Sequence, residues 1–324
     1  MNSIVAVTHR VNHQRGATII EVMVAVTISL ILLTGVLQIF ISNKQTYRIN
    51  DAMSRLQENA RFATYFLTTD LRMAGFYGCG SKATSFVNTL NTTTGVFNFG
   101  TPLEALDGAG LNGSDEITVR GSAGSSVAIT EAMPNTSADL KTQPAAVPPF
   151  ADNDIVLISD CTASAAFQIT GYTTSNGNTV HNTGGSSVPG NLTKDLGKQF
   201  GTDAEIMKVT TKRYYIAAGA SGAPALWRQD AGGTPVELVE GVENMQILYG
   251  ERIAGSTKYV AAGAVTDMAN VTSLRIALLL RTMDEAGSTL DTSTYSLAST
   301  TYNPTDDRRL RRVVETTITL RNRV

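Results

Sequence analysis

The sequence is poor in the residues from which catalytic and metal sites are usually built. Its 324 residues include 3 histidines and 2 cysteines. His9 and His13 fall within the first sixteen positions, which leaves His181 alone in the body of the chain, inside the Gly-, Ser- and Asn-rich stretch Ser175 to Ser187. A loop histidine in such company reads as a solvated side chain rather than a general base. Cys79 and Cys161 stand far apart, with no C-x-x-C spacing to suggest a metal or redox motif. No Gly-x-Ser-x-Gly elbow, Walker loop or His-x-x-x-His pair occurs. The reading is therefore of a chain that is not an enzyme, with no catalytic residue, cofactor or metal ligand to assign. Charge is scarce as well, at 17% of residues, and 26 basic side chains against 28 acidic ones give a formal charge of −2. That balance lacks the basic excess of a nucleic-acid binder. Repeats are absent too, and only one stretch is both long and apolar.

That stretch is Val22 to Asn43, which holds no charged residue. At about 22 residues it is long enough to cross the ~30 Å hydrocarbon core of a bilayer as a helix. Glu21 lies at its leading end, and an acid within lipid needs a compensating partner. The segment before it, Met1 to Gly16, carries Arg10 and Arg15 and no acid. Basic residues beside a first apolar segment hold that end in the cytoplasm and send the rest of the chain across the membrane. A secretory signal would be cut after its apolar region. Here the small residue Gly16 stands before it, so a cut after Gly16 would leave the helix on the mature protein and create a new amino group at Ala17. Ala17 and Glu21 are four apart, one helical turn, so an ammonium and a carboxylate could neutralise each other within one chain or between neighbours.

Gln14-Arg15-Gly16-Ala17-Thr18-Ile19-Ile20-Glu21-Val22-Met23-Val24-Ala25 resembles the class III signal of type IV prepilins and type II secretion pseudopilins. The resemblance implies cleavage between Gly16 and Ala17 by prepilin peptidase, N-methylation of Ala17, and a role for Glu21 in assembly. It departs from the usual pattern in having Ala17 where the family commonly has Phe. Three later fragments are similar to blocks of PilW-type minor pilins: Gly241 to Gly250, Asp154 to Cys161 with Phe167-Gln168 after it, and Thr316 to Arg323. For an exported chain a disulfide between Cys79 and Cys161 is the first reading, and two buried free thiols the other.

Beyond the apolar run, Ile49, Met53, Leu56, Ala60, Ala63, Leu67, Leu71 and Ala74 recur at spacings of three and four, which predicts that an amphipathic helix continues to Gly75. From Phe76 the composition turns to Ser, Thr, Gly, Asn and Pro around short β-like runs. The expected strands are Glu116–Arg120, Asp154–Ser159, Phe167–Tyr172, Glu205–Thr210, Arg213–Ala217, Leu226–Asp230, Asn244–Tyr249, Thr272–Arg281 and Val313–Arg321. Gly219 to Gly222 marks a hairpin, and Val236 to Val242 reads either as a helical turn or as an extended link. The polar stretches Ser81 to Asn112 and Gly121 to Pro149 read as loops that partners would order. Asp152-Asn153-Asp154 and Asp107 to Glu116 gather oxygen ligands, but neither follows a calcium loop and turn chemistry is the default. The C-terminal Arg308, Arg309, Arg311, Arg312, Arg321 and Arg323 read as the charged guard of a solvated strand edge rather than a DNA-binding patch.

The expected fold class is α+β and pilin-like: a leader over 1–16, a long helix over 17–75 whose half 17–41 crosses the membrane, and a β-rich antiparallel globular domain over 76–324. The expected function is that of a PilW-like minor pilin in a tip or priming complex. The alternatives are a J-type pseudopilin of type II secretion and, from another class, a membrane-anchored periplasmic adhesin or binding module with its leader intact. The partners implied are other minor pilins, the major pilin, prepilin peptidase and the inner-membrane assembly platform, and the location is the inner membrane first and the pilus afterwards.

Overall fold

The structure, a computed structural model, describes residues 16–79, 85–184, 188–298 and 300–322. The chain divides into a first unit that ends at Asp51 and a second that runs from Ala52. One helix, Ile19–Leu71, makes up most of the described part of the first unit and opens the second. Its start is set by Thr18, whose hydroxyl accepts the Glu21 backbone N–H at 3.2 Å while the Thr18 carbonyl accepts Val22 N–H at 3.1 Å. Thr18 is thus the N-cap, and Ala17 lies one residue outside the helix rather than in its first turn. The apolar side chains from Ile19 to Ile41 are exposed within their own unit, and the helix passes through Gly35 without a break. Its few polar groups are self-satisfied: Thr27, Ser29 and Thr34 each donate to the carbonyl four residues back, at 2.8 Å. That arrangement leaves no free hydroxyl for lipid to accommodate.

In the second unit the helix buries Leu56, Ala60, Ala63, Leu67 and Leu71, the stripe that the spacing predicts. It ends four residues earlier than expected. After Leu71 the bonds tighten to three-residue spacing, with Met73 N–H to Asp70 C=O and Ala74 N–H to Leu71 C=O at 3.1 Å, and Gly75 turns out of the helix at φ 72°. Gly75 N–H then bonds the Arg120 carbonyl at 2.8 Å, and a side chain at Gly121 would stand 2.5 Å from the Met73 carbonyl oxygen. A glycine is required where strand and helix end approach this closely.

The stripe packs on a four-stranded antiparallel sheet in the order Ser256–Val260, Val242–Ile253, Val271–Arg281, Arg311–Thr319. Met245, Ile247, Leu274, Ile276, Leu278 and Ile318 belong to the core shared with Leu56 to Leu71. A second, branched sheet is organised by the strand Glu205–Ala218. The expectation was two strands, Glu205–Thr210 and Arg213–Ala217. They are continuous because the chain changes partners without changing direction: Glu205 to Lys208 pair with Val156 to Ser159, and Val209 to Tyr214 pair with Ile117 to Ser122. Ile206 lies in a separate core with Val156, Ile158, Phe167 and Phe200, while Tyr214 and Ile216 belong to the helix core. The hairpin closed by Gly219 to Gly222 pairs Arg213–Ala217 with Ala225–Gln229. Val236–Glu240 is a strand beside Pro224–Asp230, so the extended reading of that segment holds.

The polar stretches are more structured than their composition suggests. Ser85–Asn88, Leu103–Leu106, Val127–Glu131 and Leu140–Thr142 are strands; residues 81–84 lie outside the described positions. Phe167–Tyr172 is not one strand. Ala163–Gln168 is, with all six residues buried, and a break precedes Gly171–Thr173.

Candidate assembly site

At the N-terminus, Gly16 and Ala17 precede the helix and are exposed. Glu21 is the third residue of the first turn, and its side chain is exposed. Thr18-Ile19-Ile20-Glu21 is also the spacing of a capping box, and the Thr18 half of it is formed. An acid in the first turn lies where the helix dipole favours it, so Glu21 serves the helix start as well as any assembly role. That second reading was legible in the sequence and was missed. The leader positions 1–15 lie outside the described residues.

In the second unit the helix is fastened by polar contacts as well as by its apolar stripe. The Asp70 carboxylate accepts Lys212 Nζ at 2.8 Å and the Tyr214 hydroxyl. Burial first, and the adjacent Asp70 charge second, push the Tyr214 phenol far above its ordinary range. Asn59 Nδ2 donates to the Glu240 carbonyl at 3.1 Å. A few residues past the helix, Cys79 is joined to Cys161 with their Cα atoms 4.7 Å apart. Asp160, next to Cys161, takes hydrogen bonds from the Thr162 and Ala163 N–H groups, the Thr162 hydroxyl and Lys198 Nζ. Burial works to raise its pKa, but those donors prevail and hold it at about 2.

Two sequence expectations need correction. His181 is wholly buried: its Nε2 lies 3.1 Å from the Lys194 carbonyl and its ring is 5.1 Å from that of Phe167. The surrounding polar stretch folds into the strand Asn178–Val180, paired with Leu140–Lys141 and Gly171–Thr173, and that carries the histidine inside. Burial lowers its pKa, so the neutral ring is favoured. The C-terminal arginines, likewise, are not all solvated. Arg311 is fully buried and bonds Glu243 at 2.7 Å and Asp307 at 2.8 Å, with Asp291 at 3.2 Å. Arg309 donates to the Thr282 carbonyl at 3.0 Å. Arg308, Arg312 and Arg321 are exposed, and beyond Arg311 the strand alternates as expected, with Ile318 and Leu320 buried and Glu315, Thr317, Thr319 and Arg321 exposed. Arg323 is outside the described residues.

The acidic loops serve the fold. Asp154 accepts the Ala151 N–H at 2.7 Å and pairs with Lys208 at 2.6 Å. Asp115 accepts Gly108 N–H at 2.9 Å and Ile247 N–H at 2.7 Å, so it ties its loop to the sheet. Its pKa is raised to about 6, first by burial, which outweighs the two N–H donors, and then by the neighbouring charge of Asp107.

Residues 213–322 match the family described as Type IV Pilus-assembly protein W, and residues 11–37 match the prokaryotic N-terminal methylation motif. The chain is thus similar to that family over its C-terminal part and to prepilin-type N-termini at its start. The motif overlaps the exposed apolar helix, which is long and apolar enough to cross a membrane. The chain is also similar to the pilin-like protein PilA3 of Thermus thermophilus, at 29% identity over 108 residues, 33% of this chain and 41% of that one. It thus matches about two fifths of that relative's length. Among solved structures it is similar to a type IV-like pilin from Thermus thermophilus, with a TM-score of 0.38 and 13% identity over 83% of this chain and 98% of the other. The PilW match takes in the hairpin, the sheet under the helix and the strand that holds Arg311.

Proposed function

We propose that this chain is a minor type IV pilin that acts in pilus assembly, in a tip or priming complex with other minor pilins and in contact with the major pilin. Prepilin peptidase removes Met1 to Gly16, Ala17 becomes the terminus and is methylated, and the inner-membrane assembly platform draws the subunit from the bilayer. The observation that carries this reading is a single helix with two uses. Its leading part bears the prepilin motif and exposes every large apolar side chain; its trailing part is built into a PilW-type domain. Apolar side chains that lack cover within the subunit have lipid as one cover and the helices of other subunits as the next. Glu21 then sets register against the Ala17 ammonium of its own or a neighbouring chain, since a buried ion pair contributes specificity more than net stability.

Intact-mass and N-terminal analysis of the protein from membranes, with and without prepilin peptidase, tests the first step. The expected result is a peptidase-dependent terminus at Ala17; an intact Met1 in both strains would overturn it. Glu21→Ala is expected to insert in the membrane normally and to be lost from sheared pili, and normal incorporation would remove the register role.

A further inference from the structure

Along the outer edge of the strand Arg311–Thr319 runs a groove that the helix stripe does not fill. It has a volume of about 660 Å³ and is walled by one flank of the helix, including Arg61, Thr64, Tyr65 and Arg72, and by Arg312 and Val314 of the strand. All of these residues belong to the second unit. Three observations describe what this groove would hold. First, its charge has one sign: Arg61, Arg72 and Arg312 are exposed, no acidic residue lines the groove, and among the described residues none of the three is ion-paired. Second, the strand that lines it through Arg312 and Val314 is the last of its sheet and pairs with Val271–Arg281 alone, so its other edge is not paired with any strand among the described residues. Third, Tyr65 stands at the rim 62% exposed, a flat side chain with both apolar and polar character.

We infer that this groove is the docking site for an extended, acidic segment of another polypeptide, added alongside Arg311–Thr319 as a further strand with its carboxylates on Arg61, Arg72 and Arg312. Strand addition takes its affinity from main-chain hydrogen bonds and its selectivity from side-chain contacts. Here the selectivity is for negative charge, because desolvating three unpaired guanidinium groups without a counter-charge is costly. Arg61 and Arg72 are roughly 16 Å apart along the helix at 1.5 Å per residue, which an extended segment of about five residues spans. A nucleic acid would satisfy the arginines but not the edge, since phosphates only accept hydrogen bonds and the edge also presents carbonyl oxygens. The inference does not rest on how the N-terminal helix assembles.

The test is a fluorescence-anisotropy titration of the full chain in detergent with a labelled nine-residue peptide of alternating valine and threonine bearing three glutamates. Controls are the same peptide with three lysines, a fully N-methylated form, and a labelled single-stranded twelve-nucleotide DNA. The expected result is saturable binding of the glutamate peptide that weakens with salt and fails for both peptide controls. The variant with Arg61→Glu, Arg72→Glu and Arg312→Glu together is expected to lose at least ten-fold in affinity for it and to gain binding of the lysine peptide. All three positions are exposed, so this variant is expected to unfold at the parent's denaturant midpoint. Glu21→Ala is expected to bind like the parent, which separates this inference from the assembly reading. Equal binding of glutamate and lysine peptides, tighter binding of the DNA, or self-association of the unliganded chain that the triple variant abolishes would each overturn it.

Discussion

Arg311 shows how a charged residue can be a core residue. Its guanidinium is sealed from solvent among Glu243, Asp291 and Asp307, and it links the last strand of the four-stranded sheet to the second. Burial alone would lower its pKa, but the surrounding carboxylates hold it well above the ordinary arginine value. Arg311→Met removes the member of the cluster that is hydrogen-bonded to all three acids, leaving Glu243 with Arg281 at 3.5 Å and Asp307 with Arg309 at 3.4 Å. The loss of one partner of a buried pair costs about 3–5 kcal/mol, and that is the destabilisation expected by urea unfolding followed through the single tryptophan, Trp227. Arg312→Met, one position along and exposed, is expected to move the midpoint little. Sequence alone treated the two arginines alike. What separates them is the sheet neighbour Glu243 and the bridged positions Asp291 and Asp307, none of which composition brings together. His181 was misread for the same reason: its polar neighbours in sequence are not its neighbours in space. The expectations for Gly16, Ala17 and Glu21 rest on local spacing alone.

The long helix is the most legible element, since a three-and-four spacing needs no knowledge of what it packs on. Leu67 is wholly buried in the stripe, and Leu67→Ala is expected to cost about 2–5 kcal/mol through lost burial and the cavity left behind, read by the same Trp227 unfolding curve. Insertion of the apolar part is expected to be unchanged, because that part lies in the other unit. Strands were legible where they alternate or run long, as in Val271–Arg281 and the 213–230 hairpin. They were missed where they are short, as in Leu140–Thr142, or where both faces are covered, as in Ala163–Gln168, whose small apolar residues give no alternation to read. The single strand Glu205–Ala218 was read as two, Glu205–Thr210 and Arg213–Ala217, and only the pairing of Thr211 and Lys212 with Arg120 and Val119 shows that it is continuous.

For the whole molecule, stability should respond to pH through opposed groups. Asp115 titrates near 6 when folded against an ordinary value near 3.8, so the folded state binds the proton more tightly. Its contribution therefore rises as pH falls from about 6 to about 4, by up to about 3 kcal/mol. His181 acts in the other direction: its folded pKa is lowered, so its neutral-state stability is present above about 6.5 and is lost below. Asp160, held at about 2, contributes fully above about 4 and loses its contribution, on the order of 2 kcal/mol, as pH falls toward 2. Against the effect of burial, Asp291 is held below the usual range chiefly by hydrogen bonds from Tyr295 and Ser293, and Asp307 by Arg311, and both weaken over the same acid range. Asp115→Asn is expected to remove the gain between pH 6 and 4 while leaving the loss below pH 4; an unchanged difference from the parent across pH 4 to 7 would exclude Asp115 as its source. At this scale the sequence was least informative. It showed that a helix packs on a β-rich domain, but not that the domain has more than one core or which strands border each.

The strand Glu205–Ala218 supplies a wall to both cores at once. Neither of these two cores can open along this strand without stripping the other, so the strand ties their unfolding together. The amide hydrogens from Ile206 to Ile216 are accordingly expected to exchange with solvent only when the entire domain unfolds, at a single common rate, while those of the Gly219 to Gly222 turn exchange freely.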